Sequence, residues 1–207
     1  MMYSMVTSTV ARAQPPWEDA QFIGGHPVLD LTNTVFDRAH PVEDNELLKT
    51  PSDVFAWCAS AGLVEREPPM APASASELVT EVRTVREHAW AVFNAVAHGK
   101  TLPMEPFGAL LERAGVGVRA GHVPQTDATL DRFTVNWTVP RSIPTVLSLL
   151  AVHALFTLPP DRIRACGRCG WLFLDSSRGG RRRWCSMSTC GNREKASRHR
   201  QAERAAE

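Results

Sequence analysis

Apolar residues recur at helical spacing through most of the first 160 positions, and that spacing predicts a succession of helices. The clearest runs to Gly99, with Leu78, Val82, Val85, Ala89, Val92, Phe93 and Val96 returning every three or four residues. Proline at a first-turn position opens two shorter ones. Pro27 to Phe36 carries Val28, Leu31 and Val35 on one side, and Pro51 onward carries Val54, Phe55, Trp57 and Cys58 before stopping at Gly62. Pro103 to Ala114 reads as a further helix, and 143–158 as a buried one that ends at Pro159-Pro160. Between Val116 and Val139 the period changes to two. Val116 and Val118, then Phe133, Val135, Trp137 and Val139, alternate with polar residues and predict a hairpin around the turn-rich 121–129. Further on, Trp171 to Leu174 reads as a short strand, and 191–206, rich in helix formers and free of proline, as a closing helix. The pattern gives an α+β fold, mostly α. A disordered tail (1–17) precedes a helical domain with a small β hairpin (18–160), and a compact module (161–207) of short strands plus a C-terminal helix follows.

With 43% hydrophobic and 22% charged residues, the composition is that of an ordinary globular chain. The apolar stretch 143–158 is too short for a membrane span and contains Pro144, Ser148 and His153. Met1 to Pro16 has neither the basic start nor the apolar core of an export signal, so the expected location is cytoplasmic, with no membrane partner. Charge adds more. The net +1 divides into −7 over residues 1–161 (11 Lys/Arg, 18 Asp/Glu) and +8 over 162–207 (12 and 4). A basic module on an acidic body points to a polyanionic partner.

Four of the five cysteines stand in that basic module as C-x2-C-x15-C-x4-C: Cys166, Cys169, Cys185 and Cys190. A CxxC knuckle presents two thiolates on one side, Gly167 and Gly170 permit its turn, and a returning pair completes a tetrahedron suited to one Zn2+. A redox CxxC wants a thioredoxin-like βαβ frame, which the pattern lacks, and paired disulfides conflict with a reducing compartment. Four thiolates close the coordination shell, so the zinc is structural, and no catalytic residue is assigned to it. Cys58, on an apolar helix face, reads as a small buried hydrophobe.

The same residues carry a family resemblance. CGWLFLD, SRGGRRRWCSM and Cys190-Gly191-Asn192-Arg193 closely resemble the CGNR zinc finger, and Leu29-Asp30-Leu31-Thr32-Asn33-Thr34 with Leu48-Lys49-Thr50-Pro51 resembles the ABATE region that accompanies it. The resemblance implies a stress-responsive transcription regulator whose finger binds DNA, with the four cysteines as metal ligands.

The residues themselves are compatible. Arg178, Arg181, Arg182 and Arg183 lie between the cysteine pairs, and Asn192, Arg193, Lys195, Arg198 and Arg200 lie on the closing helix. A basic helix tied to zinc suits a major groove, its arginines meeting phosphates. Asn192 and Arg193 are candidates for base edges, although their place beside a ligand favours a cap at Asn192 and a brace at Arg193. Trp171 and Trp184 read as the module's own small core. In the helical domain His26, Asp30, Asn33, Thr34 and Arg38 are candidates for a ligand pocket closed by Trp137; the competing reading has Asp30 and Asn33 satisfying buried backbone groups and His26 in a loop. With no phosphate loop, no GxSxG and no His-rich metal pattern, an enzyme is not expected. The leading function is a zinc-dependent DNA-binding regulator whose helical domain senses a small-molecule effector or forms a homodimer. The alternatives are a protein or RNA adaptor without sequence-specific DNA binding and, further off, an enzyme working through the Asp30 pocket.

Overall fold

A computed structural model of the chain describes residues 17, 21–63, 75–123, 139 and 141–206. Among the described residues are six α-helices and one two-stranded antiparallel sheet, so the α+β, mostly helical class holds.

The first helix, α1 (Pro27–Thr32), is capped by His26, whose Nδ1 accepts the Val28 N–H at 3.2 Å. It stops well before Phe36, the end that periodicity suggests. Thr34 turns its hydroxyl back to the Leu31 carbonyl at 2.8 Å, Asn33 sends its side chain to a distant strand, and Val35 bridges to Glu46. Helix α2 (Pro51–Ser60) begins with a capping box. Thr50 Oγ1 accepts the Asp53 N–H, and the Asp53 carboxylate accepts the N–H of Thr50 at 2.7 Å. The long α3 (Ala75–Ala97) buries Leu78, Val82, Val85, Ala89, Val92 and Phe93, as its spacing predicts.

Helix α4 (Met104–Arg119) is longer than expected and absorbs Val116 and Val118, which alternation alone assigns to the first strand of a hairpin. The helical rhythm continues because Leu110, Ala114 and Gly117 all face inward. Gly117 lies so close to Thr145 of α5 (Ser142–Thr157) that no side chain would fit there. The expected second strand, Phe133, Val135 and Trp137, lies outside the described residues. The sheet that is present belongs to the cysteine-bearing segment. There β1 (Ile163–Ala165) pairs with β2 (Leu172–Leu174), Ile163 opposite Leu174 and Ala165 opposite Leu172. Helix α6 (Asn192–Ala206) follows a π-helical turn at Met187–Gly191.

At the centre is α3, in contact with α1, α2, α4, α5 and both strands. One apolar core joins Leu29, Trp57, Phe93 and Leu147 to Ile163 and Leu172, so the short sheet is seated on the helices instead of standing apart. Beside α1 a half-buried ion cluster links the connection after it to α3. Arg86, almost fully buried, binds both oxygens of Glu46 at 2.6 and 2.7 Å and one of Glu87 at 2.7 Å. Among the described residues no helix is long and apolar enough to cross a membrane.

Candidate metal centre and nucleic-acid interface

Two turns assemble the cysteines. The first closes the hairpin: Cys166 donates its N–H to the Trp171 carbonyl at 2.8 Å, and the Gly170 N–H returns to the Cys166 carbonyl at 3.0 Å. Gly170 adopts φ +74°, and an added Cβ would stand 3.1 Å from Cβ of Arg38 and 3.2 Å from the Ala39 nitrogen, so both conformation and space call for glycine. The second turn runs from Cys185 through the π-helical turn to Cys190. Gly191 lies close under two side chains, where a Cβ would stand 2.7 Å from Met187 Sδ and 3.3 Å from Trp184 Cδ1. The Gly167 N–H bonds to the Arg183 carbonyl at 3.0 Å and ties one turn to the other.

All four sulfurs are buried and lie within 4.8 Å of one another, with Cys169–Cys185 at 3.7 Å and Cys185–Cys190 at 3.6 Å. A tetrahedron with zinc–sulfur bonds of about 2.3 Å has edges of about 3.8 Å, so the donor set fits Zn2+. Without an ion the crowded sulfurs oppose one another's ionisation: hydrogen bonds from Cys169 and then Cys185 lower the Cys166 thiol, while the Cys166 neighbour raises those of Cys169 and Cys185. A divalent cation between them is what would let all four ionise together. The site is thus a structural one for a single zinc, with Cys166, Cys169, Cys185 and Cys190 as its ligands. Phe173, Trp171, Trp184 and Ile23 pack around it. Cys58 is a buried core residue whose thiol is pushed up to about 12 by burial.

The residues considered for a ligand pocket join the metal segment to the helices. Asn33 pairs with both polar groups of one β2 residue, Oδ1 accepting the Leu172 N–H at 2.9 Å and Nδ2 donating to the Leu172 carbonyl at 2.8 Å. The backbone N–H of Arg38 donates to the Cys169 carbonyl at 2.8 Å, Trp171 Nε1 to the Val35 carbonyl at 2.7 Å, and the Leu174 N–H to Gly24 at 2.8 Å. Residues 24–39 therefore form one wall of the metal site. Asp30 accepts the Gly24 N–H at 2.7 Å; burial raises its carboxyl to about 6 despite that bond. Arg38 binds Glu87 through two nitrogens and lies over Trp90 at 4.8 Å. Thr34 is held between Leu31 and Arg86, and His26 is the α1 cap, its basicity lowered by burial and by His153. The competing reading is the one the geometry favours for Asp30 and Asn33, while Trp137 lies outside the described residues. A cleft of about 320 Å³ opens elsewhere, between α3, α4 and α5, beside Glu81, His88, Arg113, His122 and Arg141.

The basic loop is rigidly braced. Asp175, 1% exposed, accepts the backbone N–H groups of Ser177 at 2.9 Å and Arg182 at 2.8 Å. Burial alone would raise its carboxyl, but those bonds, with Arg182 nearby, hold it below the usual range. Arg162 and Arg164 reach across to the carbonyls of Ser177 and Gly180, both at 2.9 Å. Sequence pattern alone does not mark these two braces, Arg162 closing the turn before β1 and Arg164 lying within it. Arg182 is half-buried: its guanidinium lies 4.8 Å over Phe173 and donates to the Cys185 carbonyl at 2.6 Å, which braces the loop. Arg178, Arg181 and Arg183 are exposed, Arg183 lying over Trp184 at 5.3 Å. On α6 the side chains of Asn192, Arg193, Lys195, Arg198 and Arg200 are exposed too. Asn192 reaches back to the Ser188 carbonyl at 3.4 Å, and Glu194 draws in Arg168 at 3.7 Å and Arg198 at 3.5 Å. From Lys195 to Ala205 every residue but Ser197 is exposed, so α6 projects from the metal centre as a polar rod.

Two family models match the chain. The ABATE model, described as "Putative stress-induced transcription regulator", matches residues 25–158, and the CGNR zinc finger matches 162–203. No curated protein matches the sequence.

Proposed function

We propose a function from one premise: the chain belongs to the ABATE family of transcription regulators, and it carries a CGNR zinc finger. It is a zinc-dependent DNA-binding regulator that works by binding and not by catalysis. The observation that carries this reading is the preorganised basic surface. Arg178, Arg181 and Arg183 stand out from a loop braced by Asp175, Arg162 and Arg164, beside a helix exposing Arg193, Lys195, Arg198 and Arg200.

Holding the loop backbone in place before contact lowers the ordering cost of binding, and each phosphate its arginines neutralise releases counterions. A polar helix anchored at its first turn to a metal knuckle has the dimensions of a major-groove reader. The helical domain contributes the response, either to a small ligand or by pairing two copies. The cleft between α3, α4 and α5 supports the first, and an exposed face of α4 supports the second.

Selection of bound sequences from random duplex DNA by the full-length, zinc-loaded chain tests the proposal. A recurring motif is the expected result, and its recovery falls sharply when Arg178, Arg181 and Arg183 are all changed to alanine. Failure to retain duplex DNA even at low salt would contradict it. Protein or RNA partners recovered in its place would favour an adaptor.

A further inference from the structure

Helix α4 leaves an apolar stripe in solvent. Met104, Leu111 and Val118 stand seven residues apart and are 69%, 44% and 50% exposed. That interval places them along one side of the helix, with Gly108 and Gly115 on the same line. At one end Phe156 of α5, 74% exposed, packs edge-on against Phe107 with ring centroids 6.4 Å apart and widens the stripe.

The glycines separate into two kinds. Gly117 is required by Thr145, as described above. A Cβ on Gly108 would meet nothing within 4 Å, and one on Gly115 would meet only Arg119 Nη1, at 3.4 Å. Glycine inside a helix costs about 1 kcal/mol relative to alanine, and nothing in the described monomer offsets that at either position. Close approach of a second helix to this line would.

A charged flank of the same period runs beside the stripe: Glu105, Glu112 and Arg119, all exposed. We propose that α4 is the pairing surface of a homodimer, two copies lying antiparallel about Leu111. In a two-fold pair each flank meets its own copy in reverse. Glu105 of each chain then faces Arg119 of the other at both ends, Gly108 faces Gly115, and Glu112 confronts Glu112 at the centre. The acidic start and basic finish of α4 make the face complementary to itself, which singles out a second copy as its occupant. The inference deepens the DNA-binding reading, since paired fingers offer two basic surfaces related by a two-fold axis. Association is measured without DNA, so either proposal can fail alone.

Sedimentation equilibrium of the full-length, zinc-loaded protein decides the matter. The expected mass is twice 22.8 kDa. Leu111→Glu should give a monomer, Arg119→Glu should weaken association about tenfold, and adding Glu105→Arg to Arg119→Glu should restore it. Glu112→Gln should tighten the pair by relieving the central repulsion. Circular dichroism identifies any variant that fails to fold, and the charge exchange then decides alone. A monomeric wild type, a dimer indifferent to Leu111→Glu, or a charge exchange that restores nothing would overturn the proposal.

Discussion

Asn33 is the side chain on which most of the architecture converges, because it satisfies both the donor and the acceptor of Leu172, a residue with no exposed surface. Asn33→Ala would leave both groups buried and unpaired, and at about 1–3 kcal/mol each the loss should be about 3 kcal/mol, read from the urea midpoint. Gly170→Ala meets two obstacles, a positive φ and the close approach of Arg38 and Ala39, and should lower both stability and zinc retention against a chelator. Asp30 behaves differently. Its carboxyl is raised from 3.8 to about 6 in the folded chain, so the fold binds this proton more tightly than the unfolded chain does. Its contribution is fully present below 3.8 and is lost as pH rises through about 6. Asp30→Asn keeps an acceptor for Gly24 and removes the charge, so it should gain stability relative to wild type as pH rises through that window. Urea midpoints at the two ends would show it. The sequence alone marks Gly170 for its turn and offers backbone satisfaction as a role for Asp30 and Asn33, but not which groups they meet. The partner strand lies 139 residues away from Asn33, beyond the reach of local pattern.

Among the elements, the long-period helices are legible with the right type and nearly the right ends, since burial of Leu78 through Phe93 depends only on spacing. The failures have a common cause. Val116 and Val118 alternate like a strand, but the tight seat of Gly117 on α5 keeps the helix going, and α1 ends early where Asn33 is claimed by Leu172 and Thr34 by Arg86. The metal knuckles are legible because their spacing is itself the geometry. The division of labour among the arginines is not, because exposure decides it. That division gives a prediction at the scale of the loop. Arg181→Ala with Arg183→Ala should flatten the dependence of log K on log salt by up to about 1.8, or about 0.9 for each phosphate no longer neutralised. Arg182→Ala should instead loosen the loop, lowering stability before it alters the salt slope.

At the scale of the whole molecule, the zinc segment is no independent bead. Its strand β2 lies in the main core, and the wall of its metal site is the stretch 24–39 of the helical region. Removing zinc should therefore destabilise the helical region as well, giving a single cooperative loss of structure with added chelator. Lowering the pH should promote that loss, since thiolates must take up protons as the metal leaves. Composition and charge place a boundary near residue 160; the shared core crosses it because Ile163 and Leu172 need an apolar surface that their short hairpin cannot supply. We propose that one zinc ion, held by four cysteines and backed by the helices, sets out a basic surface for DNA. Fluorescence anisotropy of labelled duplex DNA with the full-length protein, zinc-loaded and then chelated, over a range of salt, tests it most directly. Binding is expected to be tight at low salt, to weaken steeply as salt rises and to vanish on chelation. Equal binding with and without the metal, or none at any salt, would contradict it.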